Sequence, residues 1–186
     1  MKKPIRICMI GAGRVGKNHS RAITRHIADG KIVALVDPMM QVREETALEF
    51  GIENQFDTLE IALEKADFDA VIITTPTPTH LPLTALAAEN KKHVFLEKPM
   101  ALNLQECDEI IKVVEKNSVL LQLGFMRRFD PEFVAAAQRI EAGEIGQPMM
   151  IKSNTHGPGL PPPWARDLRT SNGMLAEVNS HDWDTT

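Results

Sequence analysis

The stretch "IRICMIGAGRVG", Ile5 to Gly16, decides the fold. Its first six residues, Ile5–Ile10, form an apolar run broken only by Arg6 and read as a buried strand. Gly11, Gly13 and Gly16 then supply the pattern G-x-G-x-x-G, and "RVGKNHSRAITRHIAD" continues with helical period to Gly30. A strand that passes through such a turn into a helix is the opening of a βαβ unit. Gly11 permits the tight turn, Gly13 allows close approach of a pyrophosphate to the loop Ala12-Gly13-Arg14-Val15, and Gly16 lets helix and strand pack closely. The helix start adds free N–H groups and a positive dipole end, which suit phosphates.

The next strand, "KIVALV" (Lys31–Val36), ends at Asp37, about 20 residues beyond Gly16. At that offset an acidic side chain accepts hydrogen bonds from adenosine ribose hydroxyls and repels a 2′-phosphate. No Lys or Arg lies between Asp37 and Arg43, so the reading favours NAD over NADP.

Beyond this unit, apolar runs keep alternating with helical segments. "QVREETALEF" reads as a helix closed by Gly51, and "TLEIALEKA" as one capped by Thr58. "DAVIIT" (Asp69–Thr74), "HVFL" and "SVLLQL" (Ser118–Leu123) read as strands, with helices over His80–Asn90 and near Asn103–Asn117 between them. Val- and Ile-rich runs without alternation suit parallel strands buried on both faces. Strands joined through helices imply right-handed crossovers and a doubly wound Rossmann sheet, an α/β fold.

The character changes near residue 124, where the reading ends an NAD-binding domain (1–124) and begins a partial second domain (125–186). "PEFVAAAQRIEAGEIG" reads as a helix with Pro131 in its first turn. "PMMIKSNT" alternates like a strand with one wet face, and the Pro- and Gly-rich "HGPGLPPPWARDLRTSNG" reads as a functional loop.

Composition narrows the function classes. The 186 residues carry a net charge of -4, which offers no reason to expect nucleic acid or an anionic membrane as partner. Cys8 and Cys107 are too few for a disulfide framework and read as reduced thiols. The start "MKKPIRICMIGAG" is interrupted by Arg6 and too short for a signal peptide, and no run approaches the ~18 apolar residues of a membrane helix. The expectation is a soluble, cytoplasmic protein. The chain holds no tyrosine, which excludes a Tyr-Lys catalytic couple, and two isolated cysteines exclude a zinc alcohol dehydrogenase site. Lys, His and carboxylates remain as candidates to manage a hydroxyl proton.

Among these, Lys98 stands out. It lies in "FLEKP" at the carboxyl end of the fifth main strand, where ligands bind in such sheets, and Pro99 fixes its backbone. A cis Lys98–Pro99 bond is expected to aim the ammonium into the cleft.

At this point the chain resembles the Gfo/Idh/MocA oxidoreductases, on "GAGRVG", "TTPTPTH", "LEKPMAL", "GFMRRFDPEF" and "NGMLAEVNSHDWD" in the family's order. The inositol-dehydrogenase-like branch is the most similar. The resemblance implies a Rossmann domain followed by an α/β domain whose open, mostly antiparallel sheet makes homo-oligomer contacts. That second domain is expected to be truncated here, exposing apolar surface and favouring association. The resemblance gives Lys98 to the active site, where it hydrogen-bonds the reacting hydroxyl, implies that Glu97 and Lys98 also contact the cofactor, and makes His181 the general base. Glu177 stands where inositol dehydrogenases carry an aspartate four residues before that histidine. On one helix the i, i+4 spacing puts both on one face. The loop with Thr75, Pro76 and His80 is implied to run beside the cofactor. His80 has a structural hydrogen bond as its equal alternative. Arg127 is implied to lie near nicotinamide or substrate, and Arg128 to make a structural ion pair. Asn154, His156, Trp164, Asn172 and Asn179 are candidates to contact a polyol. The expected function is NAD-dependent hydride transfer with a polyol or sugar. A non-catalytic NAD-binding sensor of the same family is the alternative, and no metal is implied.

Overall fold

The computed structural model describes residues 3–155, 163–168, 170–171 and 173–185. The chain divides into two compact units, Met1–Leu123 and Gly124–Thr186.

In the first unit, β1 (Ile5–Ile10), β2 (Gly30–Val36), β3 (Asn54–Phe56), β4 (Ala70–Ile73), β5 (His93–Leu96) and β6 (Leu121–Leu123) form one sheet. Its order is β3-β2-β1-β4-β5-β6, and every pairing is parallel. The connecting helices are α1 (Arg14–His26), α2 (Met40–Phe50), α3 (Leu59–Lys65), α4 (His80–Glu89) and α5 (Leu104–Asn117). Strand side chains alternate between faces, so two cores form. Cys8, Ile10, Val36, Val71, Ile73 and Leu96 bury one face with Leu59, Ala87 and Ile110, from α3, α4 and α5. Ile7, Met9, Leu35 and Ile72 bury the other with Ile23 and Ala47, from α1 and α2. This is the doubly wound Rossmann architecture read from the sequence, with the order reversing between β1 and β4.

Local signals bound α2, α3 and α5 as expected, whereas α1 stops at His26 and Gly30, read as its terminator, opens β2. Thr58 caps α3 by accepting from the Ile61 N–H, and Gly51 closes α2 in the left-handed region at φ +66°. Asn103 caps α5, accepting from the Glu106 N–H at 2.9 Å, while Glu106 accepts from the Leu102 N–H at 3.1 Å. Both cysteines are free, and burial pushes the Cys8 thiol up to about 12. At the end of the sheet opposite Gly11, Arg6 ties β1 to the approach of β4, pairing with Asp67 and with Asp69 at 2.6 Å. No helix among the described residues is long and apolar enough to cross a membrane.

The second unit contains α6 (Pro131–Glu141), α7 (Gly173–Glu177) and α8 (Ser180–Asp184). Asp130 caps α6 by accepting from the Glu132 N–H at 2.9 Å, with Pro131 as its first residue. Two expectations change here. Residues 148–155 form no strand, and the described residues of this unit include no other strand with which they could complete a ladder. The hydroxyls of Ser153 and Thr155 instead reach the Asp182 carboxylate, at 2.8 and 2.7 Å. The single helix expected through Glu177 and His181 is two short ones. Glu177 closes α7, Val178 and Asn179 form a turn, and His181 sits in α8. Asn179 starts the second helix and its amide donates to Asp182 at 3.0 Å, a local bond that competes with helix continuation.

Candidate active site

In the first unit, the carboxyl ends of β1, β2, β4 and β5 bring Gly11, Asp37, Thr74 and Glu97-Lys98 to one edge of the sheet. The glycine loop fits a dinucleotide on steric grounds. Gly11 has φ +99°, and a Cβ there would stand 2.7 Å from Thr74 Oγ1. A Cβ at Gly16 would stand 1.9 Å from the Gly11 carbonyl oxygen, so only hydrogen fits between helix and turn. Gly13, at the head of α1, has nothing within 4 Å of its would-be Cβ, and Arg14 beside it is exposed. That open shoulder, with α1's first N–H groups behind it, is room for a pyrophosphate. Ala12 is fully buried, Val15 half-buried, and the carbonyl of Ala12 accepts from buried Thr46 on α2.

Asp37 is fixed by its neighbours. One carboxylate oxygen accepts from the Ala12 N–H at 2.8 Å and the other from the Met39 N–H at 2.9 Å. Arg43 donates to the Asp37 carbonyl at 2.6 Å and pairs with Asp57 at 2.7 Å, so its guanidinium is committed beneath the loop.

After β4, Thr74 Oγ1 lies 3.1 Å from the Ile10 carbonyl and 3.0 Å from that of Gly11, which locks the end of β1 to β4. Thr75 and Thr79 share a hydroxyl contact of 2.6 Å across Pro76. His80 is 1% exposed, with Nδ1 2.9 Å from the Pro99 carbonyl and Nε2 3.0 Å from the Thr75 carbonyl. Both ring edges meet backbone, the structural one of the two roles read for His80. After β5, the Lys98–Pro99 bond is cis.

Within the second unit, Asp182 is the hub. Arg127 pairs with it at 2.6 Å, and Ser153, Thr155 and Asn179 donate to it. Arg127 first, then the two hydroxyls, hold the Asp182 carboxyl well below the usual carboxylate range. The Arg127 guanidinium also lies 5.0 Å from the Phe133 ring centre. The sequence reading had implied a cofactor or substrate contact for Arg127; its visible partners belong to this network. Arg128 pairs with Asp184 at 2.8 Å, an ion pair of the expected kind. His181 meets Phe125 edge-on, ring centres 6.3 Å apart. Of the polyol candidates, Asn154 is exposed and Asn179 lines an open groove of about 560 Å³ with Met149, Ile151, Leu175 and Trp183. His156, Asn172 and the Trp164 side chain lie outside the described residues.

Thr46, Asp182 and His19, whose imidazole lies 2.6 Å from Glu97, escaped the sequence reading, and Thr74 entered it only as the start of the loop beside the cofactor. Only the first threonine of "TTPTPTH" carried a local signal, its place directly after a strand.

A parallel sheet with a glycine turn, an acidic residue after β2 and a lysine after β5 defines a dinucleotide-binding Rossmann domain. The family model for Gfo/Idh/MocA oxidoreductases, described as an NAD-binding Rossmann fold, matches residues 5–125. The chain belongs to this family, and its first unit is an NAD-binding domain. It is 39% identical over 184 residues to a scyllo-inositol 2-dehydrogenase (NAD(+)) of Bacillus subtilis, covering 99% of this chain and 53% of that protein. A probable dehydrogenase from Thermotoga maritima superposes with a TM-score of 0.85 at 34% identity, covering 97% of this chain and 54% of that one. Scyllo-inositol dehydrogenase from Lactobacillus casei, solved with NAD(H) and scyllo-inositol, superposes with a TM-score of 0.74 at 34% identity over 77% of this chain and 43% of that one. The chain spans about half the length of these relatives.

Proposed function

We propose that this chain carries the cofactor-binding and part of the catalytic apparatus of an NAD-dependent dehydrogenase. It would interconvert a polyol or sugar alcohol, of the inositol class, with the corresponding ketone. The observation that carries this reading is Lys98, at the carboxyl end of β5 on the sheet edge that also carries the glycine loop and Asp37, in a chain 39% identical to an inositol dehydrogenase.

Asp37 binds the adenosine ribose, and the N–H groups around Gly13 and Arg14 bind the pyrophosphate. When bound, nicotinamide supplies the carbon that accepts the hydride. Lys98 donates a hydrogen bond to the substrate oxygen and stabilises the negative charge that develops as its proton leaves. His181 accepts that proton. Loss of one proton and one hydride turns the secondary alcohol into a ketone, so atoms and charge balance. Residues 1–124 act as the NAD-binding domain and 125–186 as part of the substrate domain.

The test combines NADH fluorescence titration with turnover on a panel of inositols and aldoses. Lys98→Ala and His181→Ala are expected to lower turnover by a factor on the order of 100 or more, the range of general acid–base catalysis, with NADH affinity largely kept. Asp37→Ser is expected to weaken NAD binding and relax the bias against NADP. Near-normal turnover in both catalytic variants would overturn the reading. NADH binding without turnover in the parent chain would support a non-catalytic binding module instead.

A further inference from the structure

His19 plays no part in the reaction just described, yet it reaches the residue next to Lys98. It sits on α1, six residues past Gly13, and its Nε2–H donates to Glu97 Oε1 at 2.6 Å across 78 residues of sequence. Glu97 Oε2 accepts the backbone N–H of Lys98 at 3.3 Å. The two oxygens of one carboxylate thus bridge the glycine-loop helix to the backbone of the lysine. Glu97 is also anchored to the sheet, its N–H donating to the Ile73 carbonyl at 3.0 Å. The imidazole is itself held edge-on against Phe95, ring centres 5.2 Å apart. Both side chains are largely shielded, with 27% of His19 and 18% of Glu97 exposed. A charge-assisted bond of this length in such a setting is among the stronger side-chain contacts. The far flank of the turn is secured separately, by His80 on the Pro99 carbonyl.

We propose that His19 is a positioning residue that acts through Glu97 to fix Lys98, coupling the helix that receives the cofactor phosphates to the lysine that addresses the substrate. The inference rests on the assignment of Lys98 above. It differs from a purely structural role in one respect: the hydrogen bond, and not the ring's packing on Phe95, carries the effect.

Two substitutions in the full chain separate these contributions. His19→Phe keeps a ring against Phe95 and removes the donor, whereas His19→Gln keeps an N–H donor and removes the ring. The readout is the rate at which an amine-acetylating ester modifies Lys98, followed by peptide mass spectrometry with Lys92 as internal reference. This measures the setting of the ammonium without turnover, so it stands whether or not Lys98→Ala abolishes activity. His19→Phe is expected to change the Lys98 rate about fivefold, the factor typical of one hydrogen bond, with Lys92 unchanged and His19→Gln near the parent value. Glu97→Gln tests the link from the other end and should shift Lys98 similarly, with little further change when combined with His19→Phe. It also decides the matter if His19→Phe does not fold. A parent-like Lys98 rate in His19→Phe, or in Glu97→Gln, would overturn the proposal. So would a shift in His19→Gln as large as that in His19→Phe.

Discussion

The two units are held together by different physics. In the first, Cys8, Met9, Leu35, Val71, Ile73, Leu96 and Ile110 have no accessible surface, and two apolar faces of one sheet are covered by helices. In the second, the buried residues among those described are Gly124, Ala165, Ser171 and Asp182: a glycine, one small apolar side chain and two polar ones. Meanwhile Met149, Met150, Leu175 and Trp183 are exposed. Burial of apolar area is non-directional and indifferent to pH. A carboxylate hub is directional and depends on one proton.

The largest expected effect tests the first half of that contrast. Phe68 is 1% exposed and packs in the core on the α3–α5 side. Phe68→Ala should cost about 3–5 kcal/mol, read from urea unfolding by far-UV circular dichroism. A loss below about 1 kcal/mol would mean that this core is not what holds the sheet.

Next comes the hub. Because Arg127 and the hydroxyls hold the Asp182 carboxyl below its ordinary range, its contribution is fully present above the ordinary aspartate value of about 3.9 and is lost as pH falls further. Both tryptophans lie in the second unit, so their fluorescence reports this region directly. The signal should hold from neutrality to about pH 4 and change below it. Asp182→Asn should remove that acid transition and speed tryptic cleavage after Arg127. An unaltered acid profile in the variant would remove Asp182 from the centre of the network.

The smallest effect is the one the units should share. Asn103 caps α5 in the first and Asp130 caps α6 in the second. Capping is local, so Asn103→Ala and Asp130→Ala should each cost about 1 kcal/mol by denaturant unfolding. Unequal losses would show that the surrounding packing sets the value of a cap.

What was legible in the sequence follows the same division. Strands β1, β2, β4 and β5, the glycine turn and Asp37 are written in contiguous residues, so period and spacing reveal them. The edge strand Asn54–Phe56 is too short and polar to carry a pattern, and exists because it pairs with β2. The pairs His19–Glu97 and Arg127–Asp182 join residues 78 and 55 positions apart, which no local pattern encodes. The break between Glu177 and His181 depends on Asn179 finding Asp182, so helical spacing alone misplaces it. Residues 148–155 alternate as a strand should, but alternation supplies no neighbouring strand.

The lengths of the strands have a consequence of their own. From one side of the sheet to the other they run three, seven, six, four, four and three residues, longest near the middle and shortest at both borders. A foreign strand seeking to extend the sheet would find at each border a template of only three residues, too short to hold it in register. The tapering is therefore a safeguard against polymerisation, achieved by ending strands early and without spending a single charged or proline guard residue within β6, Leu121–Leu123.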